Sequence, residues 1–181
     1  MRRDDVTRRL PAAVGAAAVA LFVASPALAG AEQVRVAGPM TVYSAAVPAG
    51  ATAQVEAVYD SSGDTVVTLH VHGLTPRSAY GAHAHVDACG LDGAAAAPHF
   101  QNVVDPVSPS VDPAYANPSN EVWLDLTTDA AGDGVAHTEV SWQFSPDRRA
   151  RSVILHERHT SDVPGSAGTA GARLACLDVA F

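Results

Sequence analysis

Lysine is absent from the chain, and all 11 basic residues are arginine against 19 acidic ones. Residues 1–29 carry four of those arginines and two of the aspartates, so the remainder is net −10 with histidine neutral. A domain that acidic lacks the basic patch that nucleic-acid phosphates need. It is expected to be soluble, and an anionic substrate would have to be drawn in by a local positive site. Long apolar runs are also missing. The longest stretch, residues 12–23, falls short of the roughly 20 residues a bilayer span needs. No helical periodicity of useful length, internal repeat or low-complexity linker is present. Cysteine is scarce, with Cys89 and Cys176 alone.

The N-terminus explains part of this economy. Arg2, Arg3, Arg8 and Arg9 precede the apolar stretch, and Ser25-Pro26-Ala27-Leu28-Ala29 comes after it. A basic start, an apolar middle and an Ala-x-Ala end make a secretory signal peptide, with cleavage expected after Ala29. No cysteine sits there to carry a lipid. Residues 30–181 are then one exported domain. In an oxidising compartment a Cys89–Cys176 disulfide is the default, with two buried thiols as the alternative. On the chain-entropy model such a long loop constrains the unfolded state by on the order of 4 kcal/mol.

The exported part alternates in short segments. Val55, Ala57 and Tyr59 face one way in residues 51–59, and Ser61-Ser62-Gly63-Asp64 makes a turn. Val67, Leu69 and Val71 then oppose Thr68, His70 and His72, so the two segments read as a hairpin. Residues 121–128 place Val122, Leu124 and Leu126 on one face. Further strands are expected at 135–144, 151–157 and 174–181, giving seven or eight strands in an antiparallel sandwich or barrel. Two segments break the pattern, residues 90–120 and 158–171. Long loops of this kind in a compact domain are usually functional.

Eight histidines are present, and their placement carries the chemistry. His83-Ala84-His85 is an H-x-H on an expected strand, where residues i and i+2 share a face. Two imidazoles so placed suit copper or zinc. His70-Val71-His72 has the same spacing but no further partner, and is read as a solvated strand face. His137 is read as exposed, and Trp123 and Trp142 as core or interface aromatics. The turn at 129–133 has too few ligands for a calcium site.

The motifs downstream of His85 are more specific. Cys89 lies four residues after it, then come Ala97-Pro98-His99-Phe100, Val153-Ile154-Leu155-His156-Glu157, and Gly168-Thr169-Ala170-Gly171-Ala172-Arg173-Leu174-Ala175-Cys176. In these motifs and their order, across most of residues 33–181, the chain resembles the copper/zinc superoxide dismutases. The resemblance implies an all-β Greek-key sandwich, or flattened barrel, of about eight antiparallel strands with the immunoglobulin-like superoxide dismutase fold. It implies copper ligation by His83, His85, His99 and His156, with His99 the ligand that bridges to zinc where zinc is present. It also implies the Cys89–Cys176 disulfide and an anion-guiding Arg173 at the mouth of the copper channel, a task suited to a fixed guanidinium. His99 is the implied proton donor, near-neutral titration being an imidazole property. The alternative for His99 is a loop histidine packed by Phe100.

Departures from the family are equally specific. Ala84 stands where a larger apolar residue is usual. No histidine lies between His99 and His137, so the zinc site is expected to be absent, with only Asp105, Asp112, Glu121 and Asp125 to offer oxygens where zinc normally wants N or S donors. The loop after His156 is short. His159 is expected to face away from the copper, and Asp162 is a candidate for the carboxylate that orients a ligand histidine. Together these features resemble the secreted copper-only members. The expected function is superoxide dismutation at copper, with superoxide as the partner molecule and no membrane span after cleavage. The alternative is a non-catalytic extracellular copper-binding protein on the same fold.

Overall fold

The computed structural model describes residues 32–181, and the signal peptide assigned to residues 1–29 lies outside the described residues. Nine strands form two antiparallel sheets. The first has the order β1 (Glu32–Pro39), β3 (Thr52–Tyr59), β4 (Thr65–His72), β7 (Gly134–Val140). The second has the order β2 (Thr41–Val42), β9 (Arg173–Asp178), β8 (Ser152–His156), β5 (Ala79–His85), β6 (Leu126–Thr127). The chain leaves the first sheet after β4, lays down β5 and β6 in the second, and returns to place β7 beside β4. It then crosses again for β8 and β9. This is the expected Greek-key sandwich. Among the described residues no helix is long and apolar enough to cross a membrane.

The β3–β4 hairpin forms as its sequence indicates. Asp60 Oδ1 accepts hydrogen bonds from the backbone N–H of Ser62, Gly63 and Asp64 at 2.9, 3.1 and 3.0 Å. Tyr59 consequently pairs with Thr65, and the register runs on to Thr52 opposite His72. That register turns Val55, Ala57, Val67, Leu69 and Val71 inward, each at most 2% exposed. Ala82, Ala84, Val153, Leu155, Ala175 and Leu177 meet them from the other sheet in one contiguous core.

Some boundaries differ from expectation. β1 has no counterpart among the expected strands: it is an edge strand on which only Val34, Val36 and Gly38 are even half-buried, and its pattern is correspondingly faint. Residues 121–128 keep the expected alternation but form a ladder only at Leu126–Thr127. Upstream, the segment lies along β5 through one isolated bridge, Trp123 to His83, and single bonds such as Leu124 N–H to Ala82 O, 2.7 Å. β9 begins at Arg173, before the expected Leu174. A bulge between the pairs Leu155–Ala175 and His156–Arg173 leaves Leu174 as the extra residue. Leu174 is buried in the core, and Arg173 is set opposite His156. Cys89 and Cys176 form a disulfide with Cα atoms 5.8 Å apart.

Candidate metal centre

Strand parity assembles the site. Gly81, His83 and His85 share the outer face of β5, while Ala82 and Ala84 point into the core. His156 pairs with Gly81 across the β5–β8 ladder and so stands on the same outer face. His99 comes from the long loop, pinned by a bridge to His85 and by Phe100 N–H donating to Ala84 O at 2.8 Å. Between them the four histidines offer one nitrogen each, all within 4.8 Å of one another.

The nitrogen each ring offers is set by the partner of its other nitrogen. His85 Nδ1 lies 2.9 Å from Ala97 O, and His156 Nδ1 lies 3.5 Å from Gly171 O. A carbonyl only accepts, so both rings carry their proton at Nδ1 and present Nε2 to the centre, where the two Nε2 atoms stand 3.4 Å apart. His99 Nδ1 lies 2.8 Å from Glu121 Oε2, which again leaves Nε2. His83 is reversed: its Nε2 lies 2.7 Å from Thr160 Oγ1, and its Nδ1 is buried with no partner. A buried polar nitrogen without a partner is costly. One aimed into a cluster of three other imidazoles fits a metal ion as the missing partner, and a four-imidazole donor set fits copper or zinc.

Burial fixes the electrostatics. His83 and His85 are 0% exposed and His156 4%. Desolvation first, and then the neighbouring His99, push the His83 and His85 imidazoles well below their ordinary value. The same two causes, in the same order, bring His156 down to about 3. All three are therefore neutral at neutral pH, as metal ligands must be.

The centre borders a cavity. His99 and His156 line a cavity of about 470 Å³ together with Arg173, Arg158 and Glu121. Arg173 is half-buried there, with Nη1 donating to Gly93 O at 2.6 Å. Arg158 is exposed and pairs loosely with Glu157, 3.7 Å away. Arg173 is thus a half-buried cation fixed at this cavity; Arg148, exposed on its lining, is held by bonds to Gln101 O and Asn102 O.

The neighbouring carboxylates have separate occupations. Asp105 accepts from Val107 N–H and Ser110 Oγ, and Asp112 from Ala114 N–H. Glu121, 1% exposed, accepts from Gln101 Nε2 and Trp123 Nε1 as well as from His99. Asp125 accepts from both the backbone N–H and the hydroxyl of Thr160. Among the described residues, the four histidines form the one group of three or more potential ligand residues close enough to share an ion.

Two expectations need correction. Asp162 is exposed and is not the carboxylate behind a ligand histidine; Asp125, through Thr160, and Glu121 hold those places. Trp123 is more than a packing residue, since its indole N–H donates to Glu121. The signal for Glu121, Trp123 and Asp125 lies in the alternation: with Val122, Leu124 and Leu126 turned inward, the residues between them face the histidines. Nothing in the sequence marks Thr160. His159 does face away, its Nε2 lying 2.9 Å from Leu126 O. His70, His72 and His137 lie on the solvent side of the other sheet, where His72 Nδ1 meets Asp133 at 3.4 Å.

Two glycines let the covering loop close down. A Cβ on Gly81 would stand 2.6 Å from Arg158 O and 2.9 Å from Ala170 Cβ. Gly168 has φ +77°, and a Cβ there would meet Ala116 Cβ at 3.1 Å, directly above the His99–Glu121 pair.

A Greek-key sandwich carrying four convergent imidazoles on the outer face of one sheet defines a class of β-sandwich proteins with a candidate metal centre. The solved structures similar to it narrow that class. A Cu/Zn superoxide dismutase from Brucella abortus is 20% identical over 81% of this chain and 99% of that one, with a TM-score of 0.56. A double mutant of a SOD-like protein from Bacillus subtilis is 16% identical over 82% and 96%, with a TM-score of 0.57. The clock protein EA4 is 21% identical over 81% and 93%, with a TM-score of 0.54. No family model matches the sequence, and no curated protein matches it. The chain has the fold of the Cu/Zn superoxide dismutases.

Proposed function

We propose that this protein is a secreted member of the Cu/Zn superoxide dismutase family. In this reading it converts superoxide to dioxygen and hydrogen peroxide at copper held by His83, His85, His99 and His156, without zinc. The observation that carries it is the partnerless, buried Nδ1 of His83 facing three other imidazoles beside a half-buried guanidinium. Copper supplies a one-electron couple that works in both directions, as the reaction requires. Two superoxide anions and two protons give one dioxygen and one hydrogen peroxide.

The chain's own residues do the rest. Arg173 supplies the local positive charge that draws an anion into the cavity of an otherwise acidic protein. His99, 16% exposed at its side chain, is the ring that would hold a proton at Nε2 for the departing product whenever that nitrogen is not ligating copper. Glu121 at its Nδ1 opposes the charge of that imidazolium. With Nδ1 so occupied, this ring has no nitrogen left to bridge to a second ion, which is why zinc is left out of the proposal. Export is supported by the N-terminal pattern and is compatible with the disulfide.

Copper-loaded full-length secreted protein, assayed by pulse radiolysis at low ionic strength, tests the proposal. Wild type is expected to exceed free copper per ion. Arg173→Ala is expected to be about tenfold slower with an unchanged copper EPR spectrum, and most of that gap should close as salt screens the charge. Wild type no faster than free copper per ion would leave a copper carrier rather than an enzyme, and wild type no faster than Arg173→Ala would remove the anion-guiding role of Arg173. The mature N-terminus is expected at Gly30.

A further inference from the structure

We infer that Thr160 decides which nitrogen of His83 is available to a metal, by carrying the acceptor character of Asp125 through its hydroxyl. The inference rests on the metal-site reading above for its purpose, but not for its geometry.

Donors and acceptors can be counted along the chain of contacts. The Asp125 carboxylate only accepts. Its Oδ2 takes the backbone N–H of Thr160 at 2.7 Å, and its Oδ1 stands 2.5 Å from the Thr160 hydroxyl. That hydroxyl has one hydrogen, and the carboxylate claims it. Thr160 Oγ1 can then only accept from His83 Nε2, 2.7 Å away. The imidazole proton is therefore held at Nε2, and the Nδ1 lone pair is left pointing into the cluster, at the one ring nitrogen there that is buried without a partner. The other three rings are oriented the opposite way by direct acceptors at Nδ1. His83 is thus the one ring of the four whose tautomer is set through a hydroxyl.

The relay sits where it can be held. Thr160 belongs to the loop that closes over Gly81, whose missing Cβ would lie 3.3 Å from Asp125 Oδ1. Two backbone bonds fix the loop beside it, Ser161 N–H to Thr169 O at 2.9 Å and Gly168 N–H to Ser161 O at 2.8 Å. Thr160 is a positioning residue in this scheme, acting through His83.

The decisive measurement is the two-bond proton–nitrogen NMR correlation of the His83 ring in metal-free, ¹⁵N-labelled full chain, followed by copper affinity from chelator competition. Wild type and Thr160→Ser are expected to show the proton at Nε2. Asp125→Asn is expected to move it to Nδ1: the amide then donates to Oγ1 and frees the hydroxyl to donate to Nε2. Copper affinity should fall about 10- to 100-fold in Asp125→Asn and in Thr160→Val, the usual cost of losing an outer partner of a ligand histidine, with Thr160→Ser restoring it. A wild-type ring protonated at Nδ1, or Asp125→Asn with an unchanged tautomer, would overturn the relay. The tautomer is read without metal, so a normal NMR pattern in a protein that binds no copper would support the relay and remove the metal site.

Discussion

The two sheets carry the same H-x-H spacing on their outer faces and make opposite use of it. On β4, His70 and His72 alternate with fully buried core residues and remain in contact with solvent. On β5, His83 and His85 are as buried as the alanines that point into the core. The strands differ little in themselves. What differs is the cover: parts of residues 99–120 and 157–172 lie over the outer face of the second sheet, whereas the outward residues of β4 stay in contact with solvent. A pair of histidines at spacing two is raw material. Loops that bring two more rings, remove the water and occupy the outer nitrogens turn such a pair into a site.

That contrast can be broken at several points. The largest effect is expected from His85→Ala, which should reduce copper affinity beyond the 10- to 100-fold typical of an outer partner. His70→Ala on the other sheet should leave affinity unchanged, and chelator competition compares the two directly. Next comes acid stability of the metal-free protein. His83, His85 and His156 are held neutral in the fold, so their folded values lie below the unfolded one near 6.5. The unfolded chain then binds more protons than the folded one as pH falls below 6.5, down to about 3 for His156. Each such ring should cost roughly 1.4 kcal/mol per pH unit over its window. Urea melts from pH 7 to 4 should show stability falling steeply, and replacing His156 by Gln should flatten the slope.

Smaller effects test the cover itself. Gly81→Ala should push the Arg158–Ala170 stretch outward and raise hydrogen exchange at Thr160 and Ser161, with a loss of about 1–3 kcal/mol from overpacking. The smallest change is expected for Glu139→Gln, exposed on the uncovered face, within about 0.5 kcal/mol; a larger shift in its thermal midpoint would mean that this face has a partner of its own.

The contrast also marks what was legible in the sequence. The β3–β4 hairpin can be read because Asp60, Gly63 and strict alternation all act locally. The sandwich comes from strand spacing, and the four histidines from their motifs. β1 is invisible because an edge strand buries too little to show a pattern. Glu121 and Asp125 read only as oxygen donors for zinc, since a carboxylate looks the same in sequence whether it holds a metal, a hydroxyl or an imidazole. Thr160 carries no mark at all, because its role depends on a loop closing over Gly81, a contact between residues far apart in the chain. Arg173 is signalled by its motif but not by its strand, whose expected start lies one residue too late.

The bulge at Leu174 accounts for that late start, and it reaches further. Without the extra residue, two-residue parity would send Arg173 into the core and Leu174 out over the imidazoles. The guanidinium owes its side of the sheet to a count, not to its identity. Deleting Leu174 or Ala175 would displace the disulfide or invert the charge, even with Arg173 and Cys176 both intact. Relatives of this chain are therefore better compared by the length of that interval than by the presence of an arginine within it.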